Sequence, residues 1–255
     1  MRARSPFEGA ERGANGDADL WRSWYGRCMT SSPSLSPRFE SALVFAARLH
    51  AVQTRKGSGT PYVAHLLGVT SLVLEFGGSE DEAIAGLLHD ALEDGPTNTG
   101  RSALDIAGEI EESFGDEVAR LMWGCTDAAP DERGVKAPWA ERKVAYLDRL
   151  ALKDASTLLV SGADKLYNVR AILLDFLTSD VGETVFERFT AGRSGTLWYY
   201  ERLAETFERR AQDEDVRERR GLVALIRELR RTVDALQHAA GSSRVKSRDF
   251  DPTRL

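Results

Sequence analysis

Apolar residues recur at three- and four-residue spacing from Pro37 to His238, and no segment sustains the two-residue alternation of a half-buried strand. A chain patterned this way buries its apolar stripes only by packing helix against helix, so the expected fold class is all-α. Phe39, Leu43, Ala46 and His50 share one face of a first helix that Ser36 can cap. After the loop RKGSGTP, His65, Val69, Leu72 and Phe76 mark a second helix, stopped by Gly77-Gly78. Ser79 with Glu82 has the form of a capping box and opens a third, expected to run to about Glu93 and to end at Gly95-Pro96. Further helices are expected over 102–114, 116–125, 138–152, 154–177, 194–212 and 215–238. The run Leu158-Leu159-Val160 is short enough for a buried strand, but it flows into Leu166, Val169 and Leu173 at helical spacing and is read as helix. Leu222, Leu225, Leu229, Val233 and Leu236 form a stripe that reads as core or as a dimer seam, which leaves a homodimer open.

Residues 1–36 are rich in glycine, serine, proline and charge, with Trp21, Trp24 and Tyr25 as a sticky spot, and are expected to form a disordered or weakly ordered arm. The expected layout continues with a helical domain over 37–213, a C-terminal helix over 214–240 and a disordered tail over 241–255. With 255 residues, 42% of them apolar, the chain can bury the core of one medium domain. Its 34 Lys+Arg against 40 Asp+Glu argue against nucleic-acid or membrane-surface binding driven by net charge, while leaving room for a small anion held locally. The two cysteines, Cys28 and Cys125, have no metal-ribbon or disulfide spacing, which suits a reducing cytoplasm, and no apolar run reaches the length of a membrane span. A cytoplasmic location, with neither nucleic acid nor membrane as partner, is the expectation.

Three of the four histidines, His50, His65 and His89, precede position 90, and His89 is followed directly by Asp90 in LLHDALED. Successive side chains on a helix point about 100° apart, so His89 and Asp90 reach one ion only near a helix end or beside a cleft. Glu93 and Asp94 lie four residues beyond each member of that pair and return to its faces. Carboxylates crowded in this way repel or protonate unless a cation joins them, and a divalent metal resolves the conflict. Taken singly these features are ordinary: His50 reads as a packed or surface residue, and an acidic pair near a helix end as solvated charge.

The blocks RKGSGTPYVAH at 55–65, GLLHDALED at 86–94, GCTD at 124–127, ERK at 141–143 and ADKLYNVR at 163–170 occur together in this order. In this the chain resembles the HD superfamily of metal-dependent phosphohydrolases, and within it the RelA/SpoT-type hydrolase module and the small alarmone hydrolases, over roughly residues 38–210. The resemblance implies an HD-domain helical bundle with extra C-terminal helices. It implies metal ligands at His65, His89, Asp90 and Asp164, usually for manganese, and a catalytic acidic pair at Glu93 and Asp94 that positions and activates water. It places Arg55 and Lys56 beside the nucleotide and Asn168 near its ribose, where phosphate needs cations that do not deprotonate. Lys165 can offset substrate charge or face solvent, Tyr62 can pack under the ligand helix or face the base, and Asp164 can instead cap a helix. The segment AGRSGTLWYYERL at 191–203 looks like the C-terminal helix of the stand-alone members, with Arg193 in reach of phosphate and Trp198, Tyr199 and Tyr200 as core or interface aromatics.

Three positions depart from the family pattern: Leu66 follows the first ligand instead of proline, Gly95-Pro96-Thr97 follows the acidic pair, and Ala171 stands where a small hydroxyl is common. No ligand is lost, and the implied function is Mn²⁺-dependent hydrolysis of the 3′-pyrophosphate of (p)ppGpp. The same machinery acting on an adenosine alarmone such as pApp, or on NADPH, is the nearest alternative, and a nucleotide-binding module without turnover is a second. About 50 residues follow the hydrolase block, too few for a synthetase module, so alarmone synthesis is not expected.

Overall fold

The computed structural model describes residues 34–126 and 137–252. The expected arm up to position 33, with Trp21, Trp24, Tyr25 and Cys28, lies outside the described residues, as do Asp127 of the GCTD block and the last three residues of the tail. Among the described residues there is no strand, only one isolated bridge between Thr54 and Pro61 that closes the RKGSGT loop. The fold is all-α.

Among the described residues, side-chain caps open five of the helices. The first helix, α1 (Pro37–Leu49), begins with proline, and the Ser36 hydroxyl accepts the Arg38 N–H. After α2 (Val63–Glu75), the capping box at Ser79 and Glu82 is made in both directions, at 3.3 and 2.7 Å, and opens α3 (Glu80–Leu88).

The third expected helix is corrected here, because it is two. The chain leaves helical geometry at Asp90 (φ −97°, ψ 3°) and restarts as α4 (Ala91–Thr99), which passes through Gly95-Pro96 instead of stopping there. Pro96 withholds a backbone donor from the α4 ladder. The helix continues because Gly95 is packed hard against its neighbours: a Cβ there would lie 2.8 Å from Ile106 Cδ1 and 3.3 Å from Leu49 Cδ1. Close packing, not a helix stop, explains that glycine.

Next come α5 (Ala103–Phe114), α6 (Asp116–Cys125), α7 (Trp139–Leu150) and the long α8 (Ala155–Leu177), capped by Asp154. A 3-10 segment (Gly182–Arg188) leads into α9 (Gly192–Arg210), and a single turn, α10 (Glu214–Arg217), into α11 (Arg220–Ala239).

Two apolar clusters organise these elements. One joins α1, α3, α4 and α5 through Leu49, Ile84, Leu88, Leu92, Ile106 and Ile110, while the other gathers α8, α9 and α11 through Leu159, Leu203, Phe207, Leu225, Leu229 and Val233. Helix α2 serves both, since Leu66 enters the first and Val69 and Val73 the second. The 222–236 stripe is therefore spent as core against α8, and offers no seam to a second copy. Helix α2 also lies close against α8 because residue 68 is glycine; a Cβ there would overlap the Tyr167 ring. That approach sets His65 opposite Asp164.

The segment after Gly241, expected to be disordered, contains α12 (Arg244–Arg248), started by the Ser243 hydroxyl accepting the Lys246 N–H. Its Ser247 is buried, and Arg248 reaches Glu201. The cause is electrostatic, because Glu201 on α9 is wholly buried and draws donors to it: Arg230 at 2.8 Å and Gln237 at 2.9 Å. Removing one partner of a buried pair costs about 3–5 kcal/mol. Glu201→Ala should therefore lower Tm by on the order of 10 °C, read by thermal circular dichroism. A shift of only a degree or two would class the pair with exposed ones.

Candidate metal centre

Four donors from three distant segments meet beside the junction of the two cores. His65 stands on α2, His89 at the C-cap of α3, Asp90 in the break before α4, and Asp164 in the middle of α8. The break does what a continuous helix cannot, turning the consecutive His89 and Asp90 towards one point. The His65 and His89 Nε2 atoms are 3.2 Å apart. Asp90 Oδ2 is 3.0 Å from His89 Nε2 and 3.5 Å from His65 Nε2, and Asp164 Oδ1 is 3.6 and 3.4 Å from the same atoms. Donor atoms of His65, His89 and Asp90 all fall within 4.8 Å of one another. Asp164 is no helix cap, being ten residues into α8.

This donor set suits a divalent cation. His89 Nδ1 faces the Gly86 carbonyl at 2.9 Å, so Nδ1–H donates there and the Nε2 lone pair is turned inward. Both carboxylates are held in the ionised form by donors of their own. Tyr62 Oη donates to Asp90 at 2.5 Å, while Asn168 Nδ2 and Lys165 Nζ reach Asp164 at 2.5 and 2.6 Å. Burial alone would lower the pKa of His89, but Asp90 and Asp164 outweigh it and hold the imidazole well above its ordinary value. Burial likewise opposes ionisation of the two carboxyls, yet His89 and His65 for Asp90, and Lys165 and His65 for Asp164, hold both well below the usual range. A lone pair facing two carboxylates attracts positive charge, as a proton or as a metal ion. Nitrogen and carboxylate donors without thiolate favour a borderline or hard divalent ion.

Of the remaining expected residues, Arg55, Lys165 and Asn168 are tied to this centre by direct contacts. Arg55 donates to Asn168 Oδ1 at 3.1 Å, and its guanidinium lies 5.4 Å from the centre of the Tyr167 ring, so the loop and α8 are tied together beside Asp164. Lys56 is exposed on the same loop. Lys165 is turned in towards Asp164, with its side chain 13% exposed, and is not a surface lysine. Burial would lower its pKa, but Asp164 and the neighbouring Tyr146 keep it well above the ordinary lysine value. Glu93 and Asp94 sit half-buried in the first turn of α4, and Asp94 accepts the Gln53 amide at 2.7 Å. Arg193 does not point to a phosphate position: it bonds the Ala240 carbonyl and pairs with Glu183, fastening α9 to the end of α11. Trp198, Tyr199 and Tyr200 are buried core aromatics.

Motif order leaves Tyr62 undecided and does not single out Gln53 or Asn98. Tyr62 is the Asp90 donor, and burial and Asp90 keep its phenol protonated far above the ordinary tyrosine range. His50 is buried at the end of α1 and stacks on the Tyr62 ring at 5.2 Å. The only signal for Gln53 was its place three residues after His50, beside the basic pair.

Comparison with known proteins gives the family. The HD domain family model matches residues 42–197. Over 129 residues the chain is 38% identical to the human guanosine-3′,5′-bis(diphosphate) 3′-pyrophosphohydrolase MESH1, covering 49% of this chain and 64% of that protein. It is 36% identical over 132 residues to a probable guanosine-3′,5′-bis(diphosphate) 3′-pyrophosphohydrolase of Synechocystis sp., across 51% of this chain and 16% of the relative. A GTP pyrophosphokinase of Myxococcus xanthus is 31% identical over 136 residues, 52% of this chain and 17% of its own length. The match thus spans less than two thirds of these relatives. Among solved structures, a metazoan ortholog of SpoT that hydrolyses ppGpp aligns with TM-score 0.51 over 76% of this chain and 96% of its own, and at 23% identity that likeness concerns the fold alone.

Proposed function

This chain belongs to the HD domain family, and from that premise we propose that it is a Mn²⁺-dependent 3′-pyrophosphohydrolase of (p)ppGpp, releasing pyrophosphate and leaving GDP or GTP. The observation that carries this reading is the convergence of His65, His89, Asp90 and Asp164 on one point, with Arg55 and Asn168 joined at its edge. Family membership implies a divalent metal, and these four side chains would hold it. When bound, such an ion supplies a Lewis acid that polarises the phosphoryl group and lowers the pKa of water.

The residues then divide the work. Glu93 and Asp94 orient the attacking water and take its proton as its oxygen bonds phosphorus and the bond to the 3′ oxygen breaks, and the 3′ oxygen takes up a proton to leave as the hydroxyl of GDP or GTP. Asn168, through the amide that holds Asp164, is available to the ribose edge. Arg55 and Lys56 bind the polyphosphate; Arg55 is already fixed by Asn168, whereas Lys56 is free to close on substrate. Among the described residues no helix is long and apolar enough to cross a membrane. A reducing, cytoplasmic setting is the one we propose for it.

Purified protein incubated with ppGpp, pApp and NADPH side by side, with and without added Mn²⁺, tests the reading by chromatography of the products. Release of pyrophosphate from ppGpp only when Mn²⁺ is present is the expected result. Preference for pApp or NADPH would move the assignment to another nucleotide, and binding without turnover would make the protein a sensor. For the basic loop, Lys56→Ala should raise KM for ppGpp by roughly ten- to a hundredfold with bound metal unchanged, since a charge-assisted phosphate contact is worth about 1.5–3 kcal/mol. An unaltered KM would mean that the substrate docks elsewhere.

A further inference from the structure

We infer that Gln53 is a positioning residue for Asp94, locked in orientation by His50 and Asn98. The inference rests on the hydrolase reading above, in which Asp94 faces the attacking water.

Gln53 lies in the turn after α1, outside any helix, yet both ends of its amide are used. Nε2 donates to Asp94 Oδ2 at 2.7 Å. At the other end, Oε1 accepts from His50 Nδ1 at 2.6 Å and from Asn98 Nδ2 at 2.7 Å. An amide can turn over, and the reversed form would set its carbonyl oxygen against the Asp94 carboxylate. The two donors on Oε1 forbid that rotation, so the N–H end faces Asp94 in one sense only.

His50 is suited to this single task. The residue is 3% exposed, and its Nε2 has no partner among the described residues, so the ring proton belongs on Nδ1, where Gln53 accepts it. The same ring stacks on Tyr62, interplanar angle 22°, and Tyr62 donates to Asp90. The buried imidazole thus orients Asp94 through Gln53, while its face only packs on the Tyr62 ring. Asn98 joins only because α4 runs past Pro96 to Thr99. None of the three needs to touch substrate.

The test uses the full chain, the nucleotide that the wild type turns over, and four readouts: kcat, KM, bound metal and Tm. Gln53→Ala should lower kcat about ten- to a hundredfold, with KM within about threefold and metal stoichiometry unchanged, because a misplaced group costs rate more than affinity. If Gln53→Ala does not fold, Gln53→Glu has the same size and carries the test, with an equal or larger loss expected from the oxygen it sets against Asp94. At position 50 two variants separate orientation from packing. His50→Asn keeps a donor near Nδ1 and should hold kcat within about threefold, whereas His50→Phe keeps the ring on Tyr62 and should lose about tenfold. The reverse order at position 50, an unchanged kcat in the Gln53 variants, or loss of metal from them would overturn the inference. Failure of the hydrolase reading itself shows earlier and separately, as a metal-loaded wild type that turns over no nucleotide, and this inference falls with it.

Discussion

Replacing His89 with alanine should leave the protein with no stoichiometric divalent metal and no detectable hydrolysis of ppGpp. The His89 imidazole is the hub of the centre: its Nε2 lies 3.0 Å from Asp90, 3.2 Å from His65 Nε2 and 3.6 Å from Asp164, while its Nδ1 is fixed on the Gly86 carbonyl. Alanine removes one donor of four and leaves the two carboxylates facing each other with a single imidazole between them. Asp90→Ala should act in the same way and, in addition, remove the acceptor of the half-buried Tyr62 hydroxyl. The measurement is metal content by elemental analysis on the folded variant, alongside product formation. Stoichiometric metal together with full activity in either variant would sink the assignment of the centre.

Much of the scaffold could be read from apolar spacing. The expected helices over 102–114 and 116–125 correspond to α5 and α6, and the one expected from 154 corresponds to α8, because each is an amphipathic or buried stretch, and α5 and α8 open on the side-chain caps Ser102 and Asp154. The four convergent donors were legible only through motif order, since spacing along a chain does not say that α2, α3 and α8 meet. Where reading failed, short-range rules lost to tertiary packing. Gly95-Pro96 looks like a stop, but Ile106 and Leu49 press on Gly95 and carry α4 onward, and with that extension Asn98 enters the network. The basic tail looks disordered by composition, but buried Glu201 supplies a reason for Arg248 to come in. His50 passed as a packed core residue, which it is; that its Nδ1 also orients an amide depends on contacts between the turn after α1 and α4 that periodicity does not carry.

Glu93→Gln should separate chemistry from binding. The substitution keeps the side chain's size and most of its hydrogen bonding while removing the charge that takes or directs a proton. Glu93 belongs to the first turn of α4, and its N–H bonds the Asp90 carbonyl at 3.2 Å, so the backbone that presents it is set by the same break that aims Asp90. It is not one of the four convergent donors, and its loss should leave metal content and nucleotide affinity close to wild type. Turnover, in contrast, should fall by about two or more orders of magnitude, the usual worth of a positioned general base. Single-turnover rates, equilibrium nucleotide binding and elemental analysis on one preparation decide the matter. Activity within a few-fold of wild type would reduce Glu93 to a solvated carboxylate and pass the proton to Asp94, whose held orientation would then account for the rate.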